Sequence, residues 1–265
     1  MAGEPVEAPP AAQLARSERF TAILGHVSQE GSLRVAGIAR RLGVSAATIR
    51  RDLEELEERH LLTRTHGGAV ARTVAYELPL RYKSAANVAE KRRIGAAAAA
   101  LVPEGAVIGL TGGTTTTEVA RALVERSSLT VVTNALNIGW ELAVHPNVKL
   151  VLTGGVARTQ SYELHGPLAE GTLARLHLDM TFLGVDGIDV GQGLTTYHEV
   201  EASTNRVMIE RSRRVVVVAD HTKMEQVRFA EICPLEAANR LITDSGADEA
   251  AVAALRAAGL EVTLV

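Results

Sequence analysis

The 265-residue sequence predicts two folded units in series, an N-terminal winged helix-turn-helix and a C-terminal α/β domain. Three observations predict this. Apolar residues recur at spacings of three and four over residues 20–56, a strand-forming segment broken by Gly67-Gly68 follows, and from residue 91 short apolar runs alternate with helix-period segments. The boundaries expected from these patterns are a tail at 1–14, a winged helix-turn-helix at 15–71, a linker at 72–90 and an α/β domain at 91–265.

The opening stretch is rich in Ala and Pro and has no basic start followed by an apolar run, so it predicts a disordered tail and no secretory leader. Hydrophobic residues make up 46% of the chain but are spread along it, with no run long enough to cross a bilayer; a soluble, cytoplasmic protein is expected. The single cysteine, Cys233, has no partner for a disulfide or a metal cluster, so it reads as a small core residue, and no metal or cofactor is expected.

Three short helices come first, with apolar stripes at Phe20, Ile23, Leu24 and Val27, at Ile38, Ala39 and Leu42, and at Ala46, Ile49, Leu53 and Leu56. Between the second and third, Gly43 supplies a turn with positive φ and Ser45 a helix cap, the corner of a helix-turn-helix. With Ile49 and Leu53 inward, Ala47, Thr48, Arg50 and Arg51 lie on or beside the outward face near the end that enters a major groove. Guanidinium forks grip guanine or phosphate, and the Ser45 and Thr48 hydroxyls suit phosphates. A second reading pairs Arg50 and Arg51 with Glu54, Glu55 and Glu58 on a merely solvated helix. Residues 61–70 read as a β-hairpin wing whose tip carries Arg64, His66 and Gly67.

The formal net charge of -3 hides an asymmetry: residues 15–75 hold ten Arg against seven acids, about +3, which leaves about -6 for the rest. A DNA-reading unit attached to a domain that does not touch DNA has this distribution.

Mixed charge, Pro79 and the lack of an apolar period make 72–90 a connector. Beyond it, strands are expected at 106–110, 129–133, 148–152, 180–185, 215–219, 240–243 and 261–264, with helices at 91–101, 115–126, 136–144, 199–211 and 247–257. Such an alternation builds a largely parallel sheet, and ligands of parallel sheets gather at the C-terminal strand ends. Those ends carry Gly112, Gly113, Thr114, Thr115 and Thr116; Thr133 and Asn134; Gly154 and Gly155; Asp186; and Lys223. Glycines admit a phosphate to the backbone, threonine hydroxyls and helix amides donate to it, and a lysine supplies countercharge. The Gly-Lys-Ser/Thr ending of a nucleotide-binding P-loop is missing, and there is no GxGxxG. Glycine at a strand-to-helix turn also has a purely structural use.

Val44-Ser45-x-x-Thr48-Ile49-Arg50-Arg51-Asp52-Leu53 and Arg64-x-His66-Gly67-Gly68-Ala69 resemble the signature of DeoR-family regulators. The resemblance continues through residues 113–116, 133–134, 152–155 and 182–187 and through Asp220-x-Thr222-Lys223. It implies operator contacts by Ser45, Thr48, Arg50, Arg51 and the wing, and a sensor domain similar to ribose-5-phosphate isomerase. A phosphorylated sugar or polyol effector, a homo-oligomer (dimer or tetramer), double-stranded operator DNA as partner and repression of carbohydrate genes are the further expectations. The chain departs from the family pattern at Thr111, commonly aspartate, and at Asn205, often lysine, which bears on which hydroxyls are recognised. Two other readings are a sugar-phosphate isomerase or deaminase using Asp186, His198, Glu199, Glu201 or Asp220, and a second domain that only oligomerises.

Overall fold

The computed structural model describes residues 15–71, 77–126 and 128–265, and the chain divides between residues 74 and 75 into two compact units. The expected tail lies outside the described residues.

The first unit runs α1 (Arg16–Glu30), β1 (Ser32–Arg34), α2 (Val35–Leu42), α3 (Ala46–Glu58), β2 (Thr63–Thr65) and β3 (Gly68–Val70). Phe20, Ile23, Leu24 and Val27 of α1 meet the same core as Ile38 and Ala39 of α2 and Ile49, Leu53 and Leu56 of α3, all buried. Gly43 closes α2 at φ 65°, a left-handed geometry that costs a side-chain-bearing residue about 1 kcal/mol or more. Ser45 then caps α3, its Oγ accepting from the Thr48 amide at 3.1 Å. The wing has one strand more than its sequence suggests: β3 pairs antiparallel with β2 on one side and with β1 on the other. Three residues are too few to display a period, and β1 is fixed instead by Leu33, buried and opposite Ala69.

The second unit begins with α4 (Leu80–Lys83) and α5 (Val88–Ala100), then alternates β4 (Val107–Leu110), α6 (Thr114–Leu123), β5 (Leu129–Thr133), α7 (Leu136–Leu142) and β6 (Val148–Leu152). A ribbon of β7 (Val156–Ala157) and β8 (Leu164–His165) and helix α8 (Pro167–Leu173) lead to β9 (Met180–Leu183). There follow β10 (Gly187–Asp189), β11 (Gly193–Thr196), α9 (Glu199–Glu210), β12 (Val215–Val218), β13 (Ala230–Cys233), β14 (Arg240–Thr243), α10 (Glu249–Ala257) and β15 (Glu261–Leu264). Seven strands form one parallel sheet in the order β15-β14-β12-β9-β4-β5-β6.

Both faces of that sheet are covered. Val216 and Val218 of β12 join the core under α5, α6 and α7, while Val215 and Val217 point the other way, into the core with α9, α10 and a small antiparallel sheet β10-β11-β13. Strands buried on two faces read as continuous apolar runs, which is why Val215–Val218 is all valine. Cys233 is buried in this second core, its thiol pushed up to about 11 by burial.

The segment expected to be a connector differs from that expectation. Residues 72–76 lie outside the described residues, but Glu77, Leu80 and Tyr82 are buried in the second unit and α5 already starts at Val88. Two apolar anchors are too few for a periodic signal, and two of the charges that made 77–90 look solvated, Glu77 and Lys83, have partners far along the chain in Arg158 and Asp186.

Candidate functional site

On the first unit the outward end of α3 presents Ala47, Arg50 and Arg51 exposed and Thr48 half-exposed, as the apolar period required. The solvated-helix reading would pair the two arginines with the helix's own glutamates. Two of the three glutamates of that reading are engaged elsewhere, Glu55 with Arg16 and Arg59 and Glu54 with Arg64 at 3.7 Å, while Glu58 is exposed and pairs with neither arginine. Arg50 and Arg51 have no hydrogen bond or ion pair among the described residues, so two cations stand ready for an anionic partner. The Ser45 and Thr48 hydroxyls bond each other at 2.9 Å while staying accessible. His66 and Gly67 sit exposed at the wing turn. Sequence reasoning missed Asp52: buried on the inner side of α3, it takes both forks of Arg19 from α1 at 2.7 and 3.0 Å and so fixes how the recognition helix is carried.

In the second unit the sheet order reverses direction between β4 and β9, the switch point at whose C-terminal strand ends, the crevice of such a sheet, ligands usually bind. Thr111, Gly112 and Gly113 leave β4 there, and Gly184, Val185 and Asp186 leave β9. The two turns touch: a Cβ on Gly184 would stand 2.7 Å from the Gly112 carbonyl oxygen, so only glycine fits. Thr111 Oγ1 accepts from the Gly184 amide at 2.9 Å, so the residue that departs from the family pattern serves as a bolt between the turns.

Asp186 is the centre of a half-buried charge cluster. Lys83 Nζ lies 3.1 Å from it, Lys223 Nζ 3.5 Å, and Thr196 Oγ1 donates at 3.2 Å. Burial opposes its charge, but Lys83 and Lys223 outweigh burial and hold the carboxyl well below the ordinary range. Glu77 binds Lys83 at 2.9 Å and also Arg158, which reaches on to Glu201 at 3.2 Å. Asp220, just beyond β12, caps the short 3₁₀ turn His221–Lys223 and takes Asn87 Nδ2 at 3.2 Å and Lys91 Nζ at 3.8 Å. Burial pulls Lys91 down to about 8 in spite of Asp220. Tyr197 is flanked by two cations, Lys83 at 5.3 Å and Arg228 at 5.1 Å from its ring centre. Glu163, fully enclosed, takes Asn134 Nδ2 at 3.1 Å; burial and the charge of Glu201 push its carboxyl well above the usual glutamate range.

The other strand-end residues divide. Thr114 is half-exposed at the first turn of α6, in a cleft of about 180 Å³ that it shares with Leu80, Arg81, Ser84, Thr117 and Tyr162. Thr115 is buried beside it, and Thr116 and Thr117 donate to the Gly113 carbonyl. Thr133 is spent on the backbone, donating to Leu110 and accepting from Ala135. Asn134 keeps its Oδ1 without a partner among the described residues, and so does Asn205, the second departure from the family pattern. Gly154 and Gly155 make a turn at the sheet edge, where a Cβ on Gly155 would press on the His165 backbone at 2.8 Å. The sequence reading missed Glu77, Lys83, Lys91, Arg158, Glu163, Tyr197 and Arg228, which lie outside the strand ends it searched. Among the described residues no group of His, Cys, Asp and Glu is arranged to hold a metal ion.

A DeoR-like helix-turn-helix domain model matches residues 19–74, and a DeoR C-terminal sensor domain model matches residues 86–245. The chain belongs to the DeoR family. Its DeoR-family relatives include the HTH-type transcriptional regulator GlpR of Haloferax volcanii, 38% identical over 93% of this chain and 96% of that protein. The HTH-type transcriptional regulator GolR of Listeria innocua is 33% identical over 93% of this chain and 98% of that protein. The glycerol-3-phosphate regulon repressor of Escherichia coli is 32% identical over 87% and 91%. Among solved structures, ribose 5-phosphate isomerase A of Methanocaldococcus jannaschii aligns with 52% of this chain and 55% of that chain at 20% identity and a TM-score of 0.39, too slight a likeness to argue from. The DeoR sensor model thus covers the crevice, Asp186 and Lys223, and the helix-turn-helix model covers Arg50 and Arg51.

Proposed function

We propose that this DeoR-family chain is a cytoplasmic repressor of carbohydrate-metabolism genes that holds operator DNA through α3 and the wing and releases it when a phosphorylated sugar or polyol enters the crevice between β4 and β9. The observation that carries the reading is the charge arrangement in that crevice: Lys223 and the first turn of α6 suit a phosphate, and Asp186 beside Thr196 suits ligand hydroxyls. The unpaired arginine face of the first unit supplies the DNA contacts, Arg50 and Arg51 toward bases or phosphates and Arg64 and His66 toward the backbone. No described helix is long and apolar enough to cross a membrane, in keeping with that location.

At Asp186 and Asp220 the crevice reads as a binding site rather than a catalytic one. A general acid or base works best with a pKa near the working pH. Asp186 and Asp220 are held charged, below their ordinary values, by Lys83, Lys91 and Lys223.

Reading two half-sites requires two recognition helices, hence at least two copies of the chain. The surface best suited to a second copy is the outer stripe of α7. Leu136 and Trp140 of α7 and Val144 just beyond its end recur every four residues, with Trp140 83% and Val144 74% exposed, and the exposed Leu152 and Val156 lie at and just beyond the end of β6, an edge strand of the sheet. A patch of this kind exceeds the scattered apolar residues ordinary on monomers.

Fluorescence anisotropy on the promoter fragment upstream of the gene tests the whole reading. Arg51→Ala should weaken specific binding at least a hundredfold while leaving thermal stabilisation by sugar phosphates intact. Lys223→Ala should keep operator binding and lose that stabilisation. Failure of the wild-type protein to bind any such fragment at modest ionic strength overturns the reading.

A further inference from the structure

The residues that close the crevice come from the chain just beyond the first unit. Glu77 is the first described residue of the second unit, and it is buried on Lys83 and Arg158. The Leu80 amide donates to the Gln160 carbonyl at 2.7 Å, and Asn87 and Lys91 tie the far end of the segment to Asp220. Lys91 Nζ also donates to the carbonyls of Lys83 and Ala86, at 3.1 and 2.6 Å. The strap 77–87 is therefore held by polar ties as well as by its buried Leu80 and Tyr82, and the carboxylates that hold it, Asp186 and Asp220, are the strand-end groups a ligand would meet. Asn87 bends the strap's end at φ 53°, a left-handed conformation that asparagine tolerates better than most residues.

Little space remains for a ligand while the strap is down. The cleft at the first turn of α6, walled by Leu80, Arg81 and Ser84, holds about 180 Å³. Small-molecule sites usually enclose about 300–1,000 Å³. Asp186, which does not line that cleft, already has two ammonium groups against it, and Lys83 stands over the face of Tyr197.

We infer that Lys83 is an internal occupant of the sensor crevice: its ammonium takes the place on Asp186 that a ligand hydroxyl would take, so the effector binds by displacing the strap 77–87 and thereby frees the chain that leads to the DNA-reading unit. The inference rests on the reading of the crevice as the effector site. The exchange leaves no charge bare, because Lys83 keeps Glu77 on the strap, and the released Asp186 keeps Lys223 and accepts from ligand hydroxyls. It also gives the two sites a shared element with two arrangements, which is what coupling between sites requires.

Hydrogen exchange on the full-length protein tests it, with sn-glycerol 3-phosphate, ribose 5-phosphate and glucose 6-phosphate as probes. A probe that raises the melting temperature should slow exchange at residues 111–117 and speed it at least tenfold at residues 78–87. Lys83→Met should give fast exchange at 78–87 without any probe, and Lys83→Arg should restore slow exchange, which a loss of packing alone would not produce. Stabilisation by a probe with unchanged or slower exchange at 78–87 overturns the strap alone. No stabilisation by any probe overturns the effector site itself, and the strap with it. Slow exchange in Lys83→Met likewise refutes Lys83 as the fastener.

Discussion

Asp52 and Glu163 are both buried carboxylates with opposite electrostatics. Asp52 faces Arg19, itself only 14% exposed, so Asp52→Ala removes the carboxylate that accepts two of its guanidinium N–H groups. Breaking a buried pair in this way costs about 3–5 kcal/mol, and urea unfolding should show the first unit losing that much while operator binding falls with it. Glu163 has no cation as a direct partner, and burial beside Glu201 favours its neutral form. A carboxyl whose folded pKa is raised contributes fully below the unfolded value, about 4.3, and its contribution is lost as pH climbs toward the raised value. Glu163→Gln keeps an acceptor for Asn134 and removes the ionisation, so the variant should melt at least as high as wild type at pH 8 and the difference should shrink at pH 4.5. A scan of melting temperature against pH checks the sign. Residue-level chemistry was legible where function and exposure coincide, as at Arg50 and Arg51. It was hidden at Asp52, Glu163 and Lys83, because a charged residue in sequence looks solvated until the fold supplies its partner.

Long elements announced themselves and short ones did not. The strands 129–133, 148–152, 240–243 and 261–264 were expected with the bounds they have, since each is a short segment rich in Val, Leu, Ile and Thr that alternates with a helix-period segment or a turn. The ribbon β7–β8, the helix α8 and the small sheet β10-β11-β13 were not expected. Their strands are two to four residues long and take their register from neighbours rather than from a period of their own. Helix α7 was foreseen, but the aim of its outer face was not: Trp140 follows Gly139, which lets the helix settle on Leu152 with a hypothetical Cβ only 3.1 Å away. At this scale the expected outcome is that Trp140→Glu lowers the oligomeric mass seen by analytical ultracentrifugation, leaves the melting curve within about 1 kcal/mol because an exposed side chain carries little folding energy, and weakens operator binding by losing the paired half-sites.

For the molecule as a whole, the charge imbalance visible in the sequence acquires a purpose from the unpaired arginines. A basic unit about three charges positive rides on a remainder about six charges negative, so attraction to DNA is confined to one part of the chain and the rest is repelled. Operator affinity should fall steeply with salt, by about 0.9 logarithmic units per tenfold rise in salt for each phosphate engaged. Removing the wing charge with Arg64→Gln should reduce the magnitude of that slope by about 1 without changing the preferred sequence, as measured by anisotropy at several salt concentrations. Cys233 gives a last consequence. It is the only thiol in the chain, it is enclosed in the second core, and burial keeps it protonated at neutral pH. A maleimide dye should therefore ignore the native protein and attach solely to a cysteine introduced at an exposed position such as His66 or Ala47, making the wild-type chain a ready background for single-site fluorescence. When Cys233 itself does react, the rate of dye uptake counts openings of the sensor core.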